Sequence, residues 1–154
     1  MSKLEHSEQV ELFKWAAKVA YLGFELADVE KLPQNPRRKP VPEISLMFAI
    51  PNGGSRGDSA LSRQIRGNQL KAEGVKSGVP DIFLPVGKRG YNGLFIELKR
   101  ADKRKSRVSE NQDDFIPRLH EQGFCAEVCY GAENAKQLIK WYFKEVNEWS
   151  RAES

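Results

Sequence analysis

The sequence predicts an α/β fold with a central mixed β-sheet flanked by helices, on three observations. Stretches of helical periodicity and short apolar runs follow one another in the order α, β, α, β, β, α, β, α. Two of the apolar runs, DIFLPV (81–86) and GLFIELKR (93–100), are joined by the Gly-rich stretch GKRGYNG and read as a hairpin. The chain has 154 residues, 40% of them apolar, and no internal repeat, so residues 1–154 read as a single domain around one core.

The elements follow in order. SEQVELFKWAAKVAYLG places Val10, Phe13, Ala17 and Ala20 at helical spacing beside Leu12, Trp15, Ala16 and Val19, with Ser7 as N-cap and Gly23 as the stop. KLPQNPRRKPVPE carries four prolines between Pro33 and Pro42 and reads as a loop. ISLMFAI is a strand, ending at the Gly- and Asn-rich loop PNGGSRG. DSALSRQIRGNQLKAEG is a helix ending at Gly74, with Arg63, Arg66 and Lys71 turned outward. After the hairpin a helix starts at SENQ, and Pro117 should kink or end it. FCAEVCY alternates as a strand, and ENAKQLIKWYFKEVNEW is a last amphipathic helix burying Leu138, Ile139, Tyr142 and Val146.

Composition excludes several classes of function. The apolar runs are too short to span a membrane, and the polar, acidic MSKLEHSEQ is no signal peptide, so a cytoplasmic protein is expected. Cys125 and Cys129 fall on one face of their strand about 13 Å apart, too far for a disulfide, and read as small buried residues. With His6 and His120 as the only other soft ligands, no zinc site forms. The net charge of +4 is modest, but KRADKRKSR (99–107) and Arg37–Lys39 concentrate it, as a surface facing phosphates or a solvated loop would.

Three charged groups interrupt the hairpin. On a strand, Glu97 and Lys99 share one face, with Leu94, Ile96 and Leu98 on the other. If the two strands pair, Asp81 approaches Glu97 across the ladder. Two carboxylates that close repel unless a cation lies between them, and a hard divalent ion suits oxygen donors. Lys99 beside it could stabilise a phosphate or orient a water. A surface ion pair on an edge strand is the other reading of the same pattern.

Pro80-Asp81 followed by Glu97-Leu98-Lys99 resembles the PD-(D/E)xK nuclease motif. IPNGGSR, LKAEGVKSGVPDIFL, GLFIELK and SENQ, in that order over about residues 50–129, resemble the virus-type replication-repair nuclease family, VRR-NUC, in its small stand-alone phage and bacterial form. The resemblance implies a restriction-endonuclease-like core and a Mg²⁺- or Mn²⁺-dependent endonuclease. It implies Asp81, Glu97 and the Leu98 backbone carbonyl as metal ligands and Lys99 as the catalytic lysine.

A further metal ligand is implied from the first helix, where Glu5, Glu8 and Glu11 compete. Glu8 is chosen because it shares a stripe with Leu12, Trp15 and Val19. Gln112 matches the family's glutamine beside the site, and equally fits a capping box with Ser109. Asn52, Gly53, Gly54 and Arg56 match a loop that would approach DNA phosphate, with a plain tight turn as the alternative. Arg104, Lys105 and Arg107 add a basic surface for the same partner.

The resemblance also implies homodimers acting on branched DNA such as four-way (Holliday) junctions, in replication or recombination of a phage-infected or bacterial cell. Trp141, Phe143 and Trp149 offer an interface, or cover their own sheet. The alternative function is a DNA-binding or assembly protein that keeps the nuclease fold without turnover.

Overall fold

The computed structural model describes residues 3–51, 59–102 and 110–151, and of residues 110–113 the backbone alone. The architecture is a four-stranded mixed sheet flanked by helices, in the element order the sequence predicts. The chain runs α1 (Lys3–Leu22), the short α2 (Phe24–Ala27), a 3-10 turn (Pro42–Leu46), β1 (Phe48–Ala49), α3 (Ala60–Ala72), β2 (Ile82–Leu84), β3 (Leu94–Lys99), α4 (Glu110–Glu121), β4 (Cys125–Tyr130) and α5 (Ala132–Tyr142). The strands lie in sequence order, with β1 and β2 antiparallel, β2 and β3 antiparallel, and β3 and β4 parallel. Among the described residues no helix is long and apolar enough to cross a membrane.

Period-2 alternation builds the core face of the sheet. Ile82 pairs with Ile96 and Leu84 with Leu94, and all four are fully buried. Leu98, Cys125 and Cys129 continue this face, which meets Leu12, Val19, Leu138 and Ile139 from α1 and α5. The opposite face carries Phe83 and Phe95, stacked at 4.2 Å, with Phe48 and Phe124 edge-on to them. Gly93 leaves room for this row, since a Cβ there would stand 2.8 Å from the Phe83 ring.

Gly23 ends α1 as expected. Its φ of 93° and ψ of 168° lie in a region essentially reserved for glycine, and a Cβ would sit 2.3 Å from the Lys39 carbonyl oxygen. That approach is how the proline-rich loop ties back to the helix end, through Lys39 N–H donating to the Leu22 carbonyl at 3.0 Å.

Four local expectations need correction. Ser7 is inside α1, not its N-cap, and its hydroxyl donates to the Lys3 carbonyl one turn back. The strand expected over 44–50 shrinks to Phe48–Ala49, because Pro42 starts a 3-10 turn that carries Ile44 into the core. Helix α4 does not end at Pro117 but continues to Glu121. Helix α5 stops at Tyr142, far short of Trp149. Arg89 of the hairpin turn donates to the Trp141 carbonyl at 2.5 Å and the Val146 carbonyl at 3.2 Å, and Lys144 turns left-handed at φ 64°.

The same segment accounts for the three aromatics expected at an interface. Arg89 lies 4.5 Å over the Trp141 ring, Phe143 packs on Phe24 at 5.4 Å, and the Trp149 indole donates to the Asn134 carbonyl at 3.3 Å. They cover their own subunit.

Two outcomes follow. Gly23→Ala should lower stability by at least about 2 kcal/mol in chemical denaturation, because it combines a disallowed backbone with a backbone clash. Burial pushes the Cys125 thiol up to about 12, with Glu127 adding to the rise, and it raises the Cys129 thiol as well. Native protein at pH 8 should therefore react negligibly with Ellman's reagent, and denatured protein should release two equivalents. Fast labelling of the native chain would contradict this burial.

Candidate active site

The β2–β3 register brings the acids together. Ile82 faces Ile96 and Phe83 faces Phe95, so one further antiparallel step sets Asp81 opposite Glu97. The Ile50 amide donates to the Asp81 carbonyl at 2.7 Å, extending the β1 ladder to the same residue. Pro80 is fully buried and fixes the chain's approach. Asp81 Oδ2 accepts the Leu98 amide at 2.9 Å, so the carboxylate is bound to the backbone between Glu97 and Lys99.

Glu97 is only 2% exposed, an unusual position for an ionised group. Its Oε1 lies 3.0 Å from Lys99 Nζ, and the lysine side chain is itself 13% exposed. The pair stands on the face that carries Phe95 and Phe83, a low-polarity floor that strengthens charge interactions above it. The β3–β4 register adds Tyr130 beside Lys99 on the same face. Its backbone is held by the Gly131 amide donating to the Lys99 carbonyl at 2.8 Å and by its own amide donating to Asn134 Oδ1 at 3.2 Å. The sequence reading passed over Tyr130; only the strand register singles it out.

The other site residues divide into two groups. Glu8 shares the inward stripe of α1, and its Oε2 accepts the Ala132 amide at 2.6 Å at the start of α5, next to Gly131, whose amide donates to the Lys99 carbonyl. Glu11 bonds Lys136 Nζ at 3.1 Å, together with Glu133 at 2.8 Å. Burial opposes the Lys136 charge, but the two carboxylates outweigh it and raise its pKa. Gln112 lies in the first turn of α4, and its side chain is outside the described residues, as is Ser109. Asn52, Gly53, Gly54, Arg56, Arg104, Lys105 and Arg107 also fall outside them, although the described chain runs up to both segments next to the site, at Ile50 and Asp102.

Among the described residues, no three His, Cys, Asp or Glu side chains stand close enough to hold a metal ion. The donor set is two carboxylates with neighbouring backbone oxygen. That suits a hard cation which keeps part of its own water, and is poor for zinc. Two surface hollows, along α1 around Phe13 and at the hairpin turn around Lys88, include none of these residues.

The VRR-NUC domain model matches residues 27–133. A solved structure named "VRR_NUC domain protein" superposes with a TM-score of 0.63 at 22% identity, covering 94% of this chain and 91% of that one. That likeness bears on the fold. No curated protein matches the sequence.

Because Glu97 is buried 3.0 Å from Lys99, Lys99→Met should cost about 3 kcal/mol by removing that ion pair. Glu97→Gln combined with Lys99→Met should recover most of that loss. Equal stability of wild type and Lys99→Met in urea titrations would show the pair to be solvated.

Proposed function

Because this chain belongs to the VRR-NUC domain family, a family of nucleases, we propose that it is a Mg²⁺- or Mn²⁺-dependent DNA endonuclease. It would act on branched DNA such as four-way junctions, in the cytoplasm of a bacterial or phage-infected cell. The observation that supports the reading is the placement of Asp81 opposite Glu97, with Lys99 beside it on one sheet face.

Asp81, Glu97 and the Leu98 carbonyl would hold the cation, which when bound supplies Lewis acidity to the phosphodiester and the attacking water. Every other role falls to the chain's own groups. The Leu98 amide orients the Asp81 carboxylate, fixing one oxygen at 2.9 Å. The Glu97 carboxylate sets the position of the Lys99 ammonium at 3.0 Å. Lys99 places its positive charge where a pentacovalent phosphate gains negative charge, and it holds the nucleophilic water in line. Phe95 and Phe83 on the same face as Glu97 lower the local polarity and keep these charges effective. One such centre cuts one strand, so symmetric cleavage of a junction calls for a homodimer with a two-fold axis. Trp141, Phe143 and Trp149 are partly buried against their own core and offer such an interface only the surface they leave exposed.

Nicking of a four-way junction in Mg²⁺ should stop on chelation and return when the metal is restored. Asp81→Asn, Glu97→Gln and Lys99→Ala should each slow cleavage at least about a hundredfold. Mg²⁺ should raise the Tm of the wild type and have no such effect on Asp81→Asn combined with Glu97→Gln. Full activity in any single variant removes that residue from the site, and junction binding without cleavage by the wild type would favour a silent DNA-binding protein. Light scattering at micromolar concentration should give twice the 17.5 kDa chain mass, and a monomer there would remove the dimer.

A further inference from the structure

Helix α3 differs from α1 and α5 in contributing no buried residue. Leu61 is 67% and Ile65 50% exposed, and Arg63, Arg66 and Lys71 are exposed as well. From Ser59 to Ala72 there is no acidic residue. A helix of 13 residues containing Gly67 gains little from its own propensity, and a capping box between Ser59 and Ser62 fixes its start. The excursion that carries it, residues 51–80, leaves the sheet after Ile50 and returns at Asp81, and these two residues are joined at 2.7 Å. Both ends of the excursion are therefore anchored at a proposed metal ligand.

We infer that α3 is a DNA-contacting helix, with Arg63, Arg66 and Lys71 taking backbone phosphates of the strand presented to Asp81, Glu97 and Lys99. The inference rests on the nuclease reading and adds a surface to it. Charge selects the occupant. A two-fold contact with a second copy through this face would set the same three cations against each other, whereas a polyanion neutralises them. Arg63 and Arg66 also stand on the side of the helix away from Leu61 and Ile65, so the basic face does not depend on covering the apolar pair. Contacts of this kind position DNA without reading its sequence.

The test uses the full chain with Arg63→Gln/Arg66→Gln/Lys71→Gln, titrated against a four-way junction and a linear duplex in a chelating buffer that prevents cleavage. Circular dichroism should be unchanged, because the three side chains are exposed. The Kd should rise on the order of tenfold or more for every DNA sequence, and the slope of log Kobs against log salt should shrink by about 3. In Mg²⁺, KM should rise while kcat at saturating DNA is kept. If the triple variant misfolds, Arg66→Gln alone should reduce the slope by about 1. An unchanged Kd and slope in a chain whose wild type cleaves would overturn the helix assignment and leave the nuclease standing. A change in light-scattering mass with DNA affinity intact would make a second copy the occupant and also overturn it. A wild type that neither binds nor cuts DNA would remove both readings.

Discussion

The register of β2 on β3 is the constraint on which the site depends. A strand has a side-chain period of two, so a slip of one residue would turn Glu97 and Lys99 into the core and carry Ile96 and Leu98 out. Two sets of contacts oppose that slip, one on each face. Ile82, Leu84, Leu94 and Ile96 pack beneath the sheet, while Phe83 and Phe95 stack above it. The acid takes part in the same lock, because Asp81 accepts the Leu98 amide where the regular ladder of β2 has already ended. The carboxylate proposed as a metal ligand thus also extends the pairing that positions Glu97.

Such a design carries an electrostatic cost. Glu97 is held at 2% exposure, and a carboxylate is costly to keep ionised there without compensation. Lys99 offsets part of that cost from the same strand face, two residues on. In the proposed nuclease Lys99 would then have two tasks that mutation cannot separate by activity alone, pairing with the buried Glu97 and acting on phosphate. Stability and turnover have to be read together for every substitution in this pair.

What was legible in the sequence is what depends on local pattern. The parity of Glu97 and Lys99, the hairpin across GKRGYNG, the stop at Gly23 and the burial of Cys125 and Cys129 follow from periods of two or from glycine, and the structure has them. The features that local pattern did not specify depend on a distant partner. Glu8 lies on the inward stripe, but an inward stripe does not say which group waits there, and the Ala132 amide 124 residues away takes its carboxylate. Likewise the ENAKQLIKWYFKEVNEW pattern remains helical to its end, and only Arg89 across the fold accounts for the carbonyls at its early termination. The short β1 has the same kind of cause, since Pro42 biases the turn but burial of Ile44 decides it. Tyr130 stands beside Lys99 through a parallel pairing that no local pattern encodes.

Charge is sorted across the molecule in a way that its small net value hides. On the core side of the sheet the acids are held by partners: Glu11 and Glu133 by Lys136, Asp28 by Lys140 and Glu127 by a two-pronged contact with Arg151. The acid-free stretch from Ser59 to Ala72 belongs to the excursion that leaves after Ile50 and returns at Asp81, and in the sequence the basic run from Lys99 to Arg107 begins at the last residue of β3. A chain of only +4 can then present a polyanion with one attractive approach, because attraction depends on the local arrangement of charge and not on its sum. The approach leads to the two carboxylates, which would themselves repel phosphate. In the proposed nuclease the basic residues of α3 and a bound cation would offset that repulsion, so attraction of DNA and catalysis would draw on separate residues.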